Sequence, residues 1–251
     1  MADLRGKVAI VTGGASGIGR TTAQFYARDG ARVAISDVDE AGGEETVRLI
    51  EAAGGEATFI RADVSNSEDC QALVNSTTER FGRLDIAFNN AGIGGESNLT
   101  ADYSVAGWNN LIGINLSGVF YCMKYEIPAI LRSGGGSIVN MASILGQVAF
   151  ANSSAYVASK HGVIGLTKNA AVEYASQGVR VNSIRPAFIR TPLIAGIEAD
   201  EQVRNLLISL HPIGRLGEPE EVAELVIWLS SDLASFVTGS YYPIDGGYLA
   251  R

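Results

Sequence analysis

The sequence predicts an α/β fold with a buried parallel sheet, and three observations predict it. Short, nearly continuous apolar runs such as Lys7-Val8-Ala9-Ile10-Val11-Thr12 and Gly136-Ser137-Ile138-Val139-Asn140-Met141 read as strands covered on both faces. Such runs alternate with helical patterns along the chain. A glycine-rich turn joins the first strand to the first helix.

The composition is that of a globular chain, 47% hydrophobic and 18% charged, with no low-complexity tract, and it reads most simply as one domain over 1–251. The net charge of −8 comes with no basic stripe, so neither nucleic acid nor an anionic membrane is expected as a partner. The first residues lack the regions of a signal peptide, and no apolar run approaches the roughly 20 residues of a spanning helix. A cytoplasmic protein is expected. Cys70 and Cys122 stand in no metal or redox spacing and read as buried thiols. With His161 and His211 they make no zinc set of the usual ligand number, so no metal centre is expected. No G-x-S-x-G is present, which disfavours a serine hydrolase.

The first strand ends at Thr12-Gly13-Gly14-Ala15-Ser16-Gly17-Ile18-Gly19, which opens a helix running to Asp29. Such a turn lets backbone N–H groups and a positive helix end approach a pyrophosphate, and Gly13, Ser16, Gly17, Ile18 and Gly19 are the candidate contacts; it also serves elsewhere as a plain tight turn. The next strand, Arg32–Asp37, ends in a carboxylate about 20 residues on, where it can accept both ribose hydroxyls of an adenosine or cap the following turn. The first role favours NAD. A 2′-phosphate about 4 Å from Asp37 would meet roughly 1–4 kcal/mol of repulsion.

A helix over Glu40–Ala53 and a strand Ala57–Arg61 follow, and Asp63-Val64 at the strand's end is a place for an adenine. Ser65 with Glu68 reads as a capping box for a helix to Phe81. After the strand Asp85–Asn89, the small residues of Asn90-Ala91-Gly92 either admit a ribose to the backbone or make a tight exit. Residues 105–132 read as a long helix whose apolar side, Trp108, Leu111, Ile112, Val119, Phe120 and Met123, covers the sheet. Asn115 interrupts that side, either as part of a structural network, which residue chemistry favours, or as part of a proton path.

Ser143 stands just past the strand ending at Met141, on the edge where open parallel sheets gather ligands. In the helical pattern over 154–177, Tyr156 and Lys160 lie at i and i+4 and share a face. A free phenol has a pKa of about 10, and a neighbouring cation lowers it. A phenol tuned by Lys160 takes a proton from an alcohol or gives one to a ketone, with Ser143 holding the substrate oxygen. Taken alone, the spacing reads more simply as a surface tyrosine packed on a lysine stem, and the rest of the chain reverses that preference.

A strand at Arg180–Arg185 ends at Pro186. From Ala187 to Pro212 the pattern is irregular, with Phe188, Ile189, Leu193, Ile194, Ile197, Leu206 and Leu207 among polar residues, and it reads as a lid about 187–212. Its apolar content points to a hydrophobic substrate or to packing of the lid itself. Arg190 meets a cofactor, a polar substrate group or solvent. Glu218-Pro219-Glu220-Glu221 opens a helix to Ser230, and a last strand lies near Gly239–Ile244.

Taken together, Thr12-Gly13-x-x-x-Gly17-Ile18-Gly19, Asn89-Asn90-Ala91-Gly92, Asn115, Ser143, Tyr156-x-x-x-Lys160 and Pro186-x-x-Ile189-x-Thr191 resemble the short-chain dehydrogenase/reductase family over essentially the whole chain. The resemblance implies a single doubly wound Rossmann-fold domain with a seven-stranded, mostly parallel sheet and helices on both faces. It makes Tyr156 the acid/base, Ser143 the orienter of the substrate oxygen, and Lys160 the residue that lowers the phenol pKa and holds the nicotinamide ribose. It gives Asn115 a water linking Lys160 to solvent, reversing the structural preference, and sets Ile189 and Thr191 against the nicotinamide carboxamide. It also implies a homotetramer. Ala187 and Ala142 depart from the family's frequent glycine and serine without removing a reacting group. The expected activity is NAD-dependent interconversion of a hydrophobic or cyclic secondary alcohol and its ketone. Asp37 stands against an NADPH-dependent ketoacyl reductase, and the intact Ser143, Tyr156 and Lys160 stand against an NAD sensor without turnover.

Overall fold

The computed structural model describes residues 2–198 and 200–250, with the side chains of Ile197 and Glu198 outside the described set. Seven strands are found: β1 (Val8–Thr12), β2 (Arg32–Asp37), β3 (Glu56–Arg61), β4 (Ile86–Asn89), β5 (Gly136–Met141), β6 (Val179–Pro186) and β7 (Tyr241–Ile244). They form one sheet in the order β3-β2-β1-β4-β5-β6-β7. Every pairing is parallel, including β6 with β7, so the expectation of a mostly parallel sheet tightens to a wholly parallel one among the described residues. All strand C-termini therefore point to one edge, and the order reverses between β1 and β4, the switch point where such sheets hold ligands.

Both faces are covered, as continuous apolar strands require. Helices α1 (Gly17–Arg28) and α2 (Glu40–Ala52) cover one face with the C-terminal helix Pro219–Ser230. Ala23, Tyr26, Ile50, Val222 and Val226 there meet Ala9 and Val11 of β1. Helix α3 (Ser67–Phe81), the segment 105–132 and the Tyr156 helix cover the other face, where Leu73, Val119, Ile130 and Val163 meet Val8 and Ile10. The alternation along β1 divides its side chains between the two cores.

Four local expectations change. Asn66, not Ser65, caps α3, accepting from the Glu68 N–H at 2.8 Å, while Ser65 turns back to Asp63. The long helix is broken into α4 (Val105–Ile112), a π turn (Gly113–Ser117) and α5 (Gly118–Arg132). The wider turn shifts the face presented to the sheet, leaving Leu111, Val119 and Met123 buried but Trp108 and Phe120 39% and 48% exposed. Tyr156 lies on α6 (Ser154–Tyr174), whose last turn tightens to a 3₁₀ turn over 175–177. The lid is not irregular: it holds α7 (Ala195–Glu198) and α8 (Glu201–Ser209), the latter capped by Asp200 accepting from the Gln202 N–H at 2.8 Å. The C-terminal helix is then α9, and its first turn is closed by the Glu218 N–H donating to Glu221. Cys70 and Cys122 are buried, free thiols as expected, and although distant in sequence they meet at 3.7 Å between α3 and α5.

Candidate active site

A cavity of about 370 Å³ lies over the C-terminal edge of the sheet, within the range of small-ligand sites. At one end is the glycine turn. Gly13 and Gly17 have φ of +65° and +50°, and a Cβ on Gly13 would meet Ala91 Cα at 2.8 Å, so the sequence needs glycine there. Ser16, extended before α1, makes no side-chain cap, and no acid occupies the first turn of α1. The helix end is thus open to an anion. Thr12 and Asn90 brace this turn against the exit of β4: Thr12 Oγ1 accepts from the Asn90 and Ala91 N–H groups, and Asn90 Nδ2 donates to the carbonyls of Thr12 and Gly13 at 3.0 Å each.

Asp37 stands half-buried on the same wall and accepts from the Ala15 N–H at 3.0 Å and the Asp39 N–H at 3.1 Å. It therefore caps the following turn and also faces the cavity. Asp63, Val64 and the exposed Val38 continue the wall. Charged side chains among the described lining residues are Asp37, Asp63 and Lys160. This wall thus carries two carboxylates and, among the described lining residues, no cation beside them, which suits neutral hydroxyls better than a phosphate.

At the other end Ser143, Tyr156 and Lys160 share one wall. Ser143 ends the β5 edge and accepts from the Leu145 N–H at 3.1 Å, which orients its hydroxyl. Lys160 is buried, and its Nζ donates to the Met141 carbonyl at 2.8 Å and lies 5.4 Å from the Tyr156 ring centre. Burial holds the Lys160 pKa down at about 8. The expected depression of the Tyr156 pKa is not found in the free chain. Burial raises it, and a hydrogen bond with Ser143 only opposes the rise. The ammonium that was to stabilise the phenolate is itself disfavoured by the same low-dielectric surroundings.

Gly13, Ser16, Gly17, Ile18, Asp37, Asp63, Val64, Ala91, Gly92, Ser143, Tyr156, Lys160, Pro186, Ile189 and Thr191 all line the cavity. Three expected residues do not. Gly19 packs on the Gly13 carbonyl, where a Cβ has no room. Asn89 is buried and turned into the interior towards Glu126 and Asn140. Asn115, buried in the π turn, clamps Ile93 through both amide atoms at 2.9 Å, the structural role residue chemistry favoured. It remains close to the wall, because a Cβ on Gly92 would lie 3.2 Å from its Oδ1 and 3.8 Å from Lys160 Nζ.

Ala187 and Leu193 of the expected lid line the cavity, and sequence reasoning missed Ile93, which lines it too, and the Met141 carbonyl that holds Lys160. The apolar pattern of the lid was the available signal for Leu193. Phe188 and Leu207 instead pack inside the lid, and Arg190 pairs with Glu218 at 2.8 Å. Among the described residues no helix is long and apolar enough to cross a membrane, and no cluster of metal-ligating side chains is found.

Known proteins resemble this chain in sequence and in fold. A family model described as enoyl-(acyl carrier protein) reductase matches residues 13–249. The chain is 52% identical over 245 residues to the cyclohexanol dehydrogenase of Acinetobacter sp. (strain SE19), covering 98% of this chain and 96% of that one. It is 46% identical over 244 residues to the cis-4-hydroxycyclohexanecarboxylate dehydrogenase of Sinomonas cyclohexanicum, covering 97% of each. The crystal structure of a levodione reductase superposes with a TM-score of 0.95 at 39% identity, over 99% of both chains. With likeness of this kind running along nearly its whole length, the chain belongs to the short-chain dehydrogenase/reductase family.

Proposed function

We propose that the protein is an NAD-dependent dehydrogenase interconverting a neutral cyclic secondary alcohol and its ketone, one catalytic domain over 1–251 with 187–212 as its lid. The observation that carries this reading is the meeting of Ser143, Tyr156 and Lys160 in the cavity that also contains the glycine turn and Asp37. A nicotinamide dinucleotide, when bound, supplies the hydride acceptor and donor. The open N-terminus of α1 with Gly13, Ser16, Gly17 and Ile18 holds its pyrophosphate. Asp37 takes the adenosine ribose, Asp63 and Val64 flank the adenine, and Ala91 and Gly92 border a ribose. Pro186, Ile189 and Thr191 hold the carboxamide end.

Ser143 orients the substrate oxygen and Tyr156 moves its proton. A phenol kept protonated by burial is in the form that gives a proton to a ketone, whereas oxidation of the alcohol needs the phenolate. Oxidation therefore accelerates as pH rises. Lys160 contacts the nicotinamide ribose and passes the proton onward, and Asn115 supports a water on that path. Ile93, Ala187 and Leu193 offer an apolar surface, and the cation among the described lining residues, Lys160, is held on the Met141 carbonyl, which favours an uncharged ring, as the cyclohexanol-acting relative's name suggests. Exposed Trp108 and Phe120 on α4 and α5 are compatible with a homotetramer, which we place in the cytoplasm.

Tyr156→Phe tests the reading. Turnover of cyclohexanol is expected to fall about a thousandfold while NADH affinity stays within about twofold. Retained turnover would remove Tyr156 from the chemistry.

A further inference from the structure

Glu126 of α5 lies outside the cavity lining and is fully buried. Among the described residues no cation partners it. Its Oε2 accepts from Asn89 Nδ2 at 3.0 Å, and its Oε1 has no partner. Asn89 Nδ2 also donates to Asn140 Oδ1 at 3.0 Å, and Asn140 Nδ2 donates to Thr167 Oγ1 at 3.0 Å and to Met123 Sδ. Both amides are oriented by these bonds, since flipping Asn89 would set its oxygen against two acceptors. The network then leaves two buried acceptors without a donor, Glu126 Oε1 and Asn89 Oδ1. One proton satisfies both.

We propose that Glu126 is a neutral carboxylic acid that donates its Oε1 proton to Asn89 Oδ1, and that it is a positioning residue fixing the end of β4 beneath the nucleotide. Asn89 returns a hydrogen bond through Nδ2, so the pair closes on itself. Asn89 immediately precedes Asn90, which braces the glycine turn, and Ala91 and Gly92, which line the cavity. A loosened Asn89 is thereby passed by the backbone to the cofactor wall.

Burial also pushes the Glu126 pKa up to about 7, with only the Asn89 hydrogen bond opposing it. The titratable groups against it are the thiols of Cys122, one turn earlier on α5, and of Cys70 on α3 beyond it. Strands β4 and β5 present the amides Asn89 and Asn140, and α6 presents the Thr167 hydroxyl. None of these brings a positive charge. In the ordinary carboxylate range the unfolded chain loses this proton while the folded chain keeps it. Stability contributed here therefore falls as pH rises from about 4.5 to about 7, then levels off.

The test compares the wild-type chain with Glu126→Gln, which reproduces the donor and acceptor of the protonated acid, and with Glu126→Ala, which removes both. Infrared spectra at pH 6 should show a protonated-carboxyl stretch that Glu126→Gln abolishes, whereas a carboxylate bridged by water gives no such band. Glu126→Gln should keep the wild-type unfolding midpoint at low pH and exceed it above pH 7, while Glu126→Ala falls below wild type throughout. The absence of the band, or a Glu126→Gln as unstable as Glu126→Ala, would overturn the shared proton.

The positioning role rests on the nucleotide reading of the cavity and has its own readout. NADH affinity of the wild type should weaken at least about fivefold between pH 6 and pH 8, with a flatter profile in Glu126→Gln. Parallel profiles in the two proteins would overturn positioning. NADH failing to bind either protein would sink the nucleotide reading instead, with the infrared and unfolding comparison still deciding the proton.

Discussion

The two ends of the cavity are built differently. At the nucleotide end the wall is mostly backbone: a glycine turn with positive φ at Gly13 and Gly17, an open helix terminus, and Asp37 fastened to the Ala15 N–H. At the alcohol end the wall is side chains from distant segments, Ile93 after β4, Ser143 after β5, Tyr156 and Lys160 on α6, and Leu193 from the lid. The first end tolerates almost no added atom. The second keeps an apolar side chain, Leu193, 57% exposed at its lid. On the proposed reading the closely packed end holds a cofactor whose chemistry is fixed, and the end lined by side chains from distant segments is where substrate choice varies at small structural cost.

Substitutions at the two ends sharpen that contrast. The largest effect on cofactor affinity belongs to Gly19→Ala, because the new Cβ would run into the Gly13 carbonyl, a backbone atom with nowhere to move. NADH affinity is expected to fall at least a hundredfold, roughly the 3 kcal/mol of a forced backbone displacement, as read by fluorescence titration. Binding close to wild type would mean the turn is softer than its packing indicates. Asp37→Ser is expected to act on selectivity instead of fold. Its removal lifts roughly 1–4 kcal/mol of repulsion against a 2′-phosphate, so the NAD to NADP ratio of kcat/KM should drop by between several-fold and several-hundred-fold. An unchanged ratio would leave Asp37 as a turn cap alone.

The smallest effect is expected from Leu193→Ala. An exposed side chain contributes little to the core, so the unfolding midpoint should stay put while KM for cyclohexanol rises about threefold to tenfold. Loss of stability without change in KM would make Leu193 a packing residue of the lid.

The same contrast explains what the sequence disclosed. Strand β5 and α2 could be placed to within a residue or two because apolar runs and caps are local. The place of Gly13, Gly17 and Asp37 on the cavity wall was legible because it depends on a strand end and a turn close in the chain. The π turn at Gly113–Ser117 was not, since an extra residue in a helix leaves the apolar pattern nearly intact and only rotates it. Asn89, at a strand end on the ligand edge and in the Asn89-Asn90-Ala91-Gly92 run of the family resemblance, is expected as a cofactor contact, yet strand alternation turns it inward to Glu126. Its partner lies 37 residues away on helix α5, and nothing in either local pattern joins them. Tyr156 was rightly placed one turn from Lys160, but the sign of its pKa shift depends on burial by other segments, which spacing alone does not contain.

On the proposed function the two ends work together as an NAD-dependent dehydrogenase of neutral cyclic alcohols. The most direct measurement is the initial rate of cyclohexanol oxidation by the wild-type protein, with NAD and NADP in parallel at alkaline pH. Cyclohexanone formation with NAD, at a rate at least about tenfold above that with NADP, is the predicted result. Equal or greater turnover with NADP would contradict the assignment of Asp37, and no oxidation of cyclohexanol by a protein that binds NADH would contradict the assignment of the alcohol end.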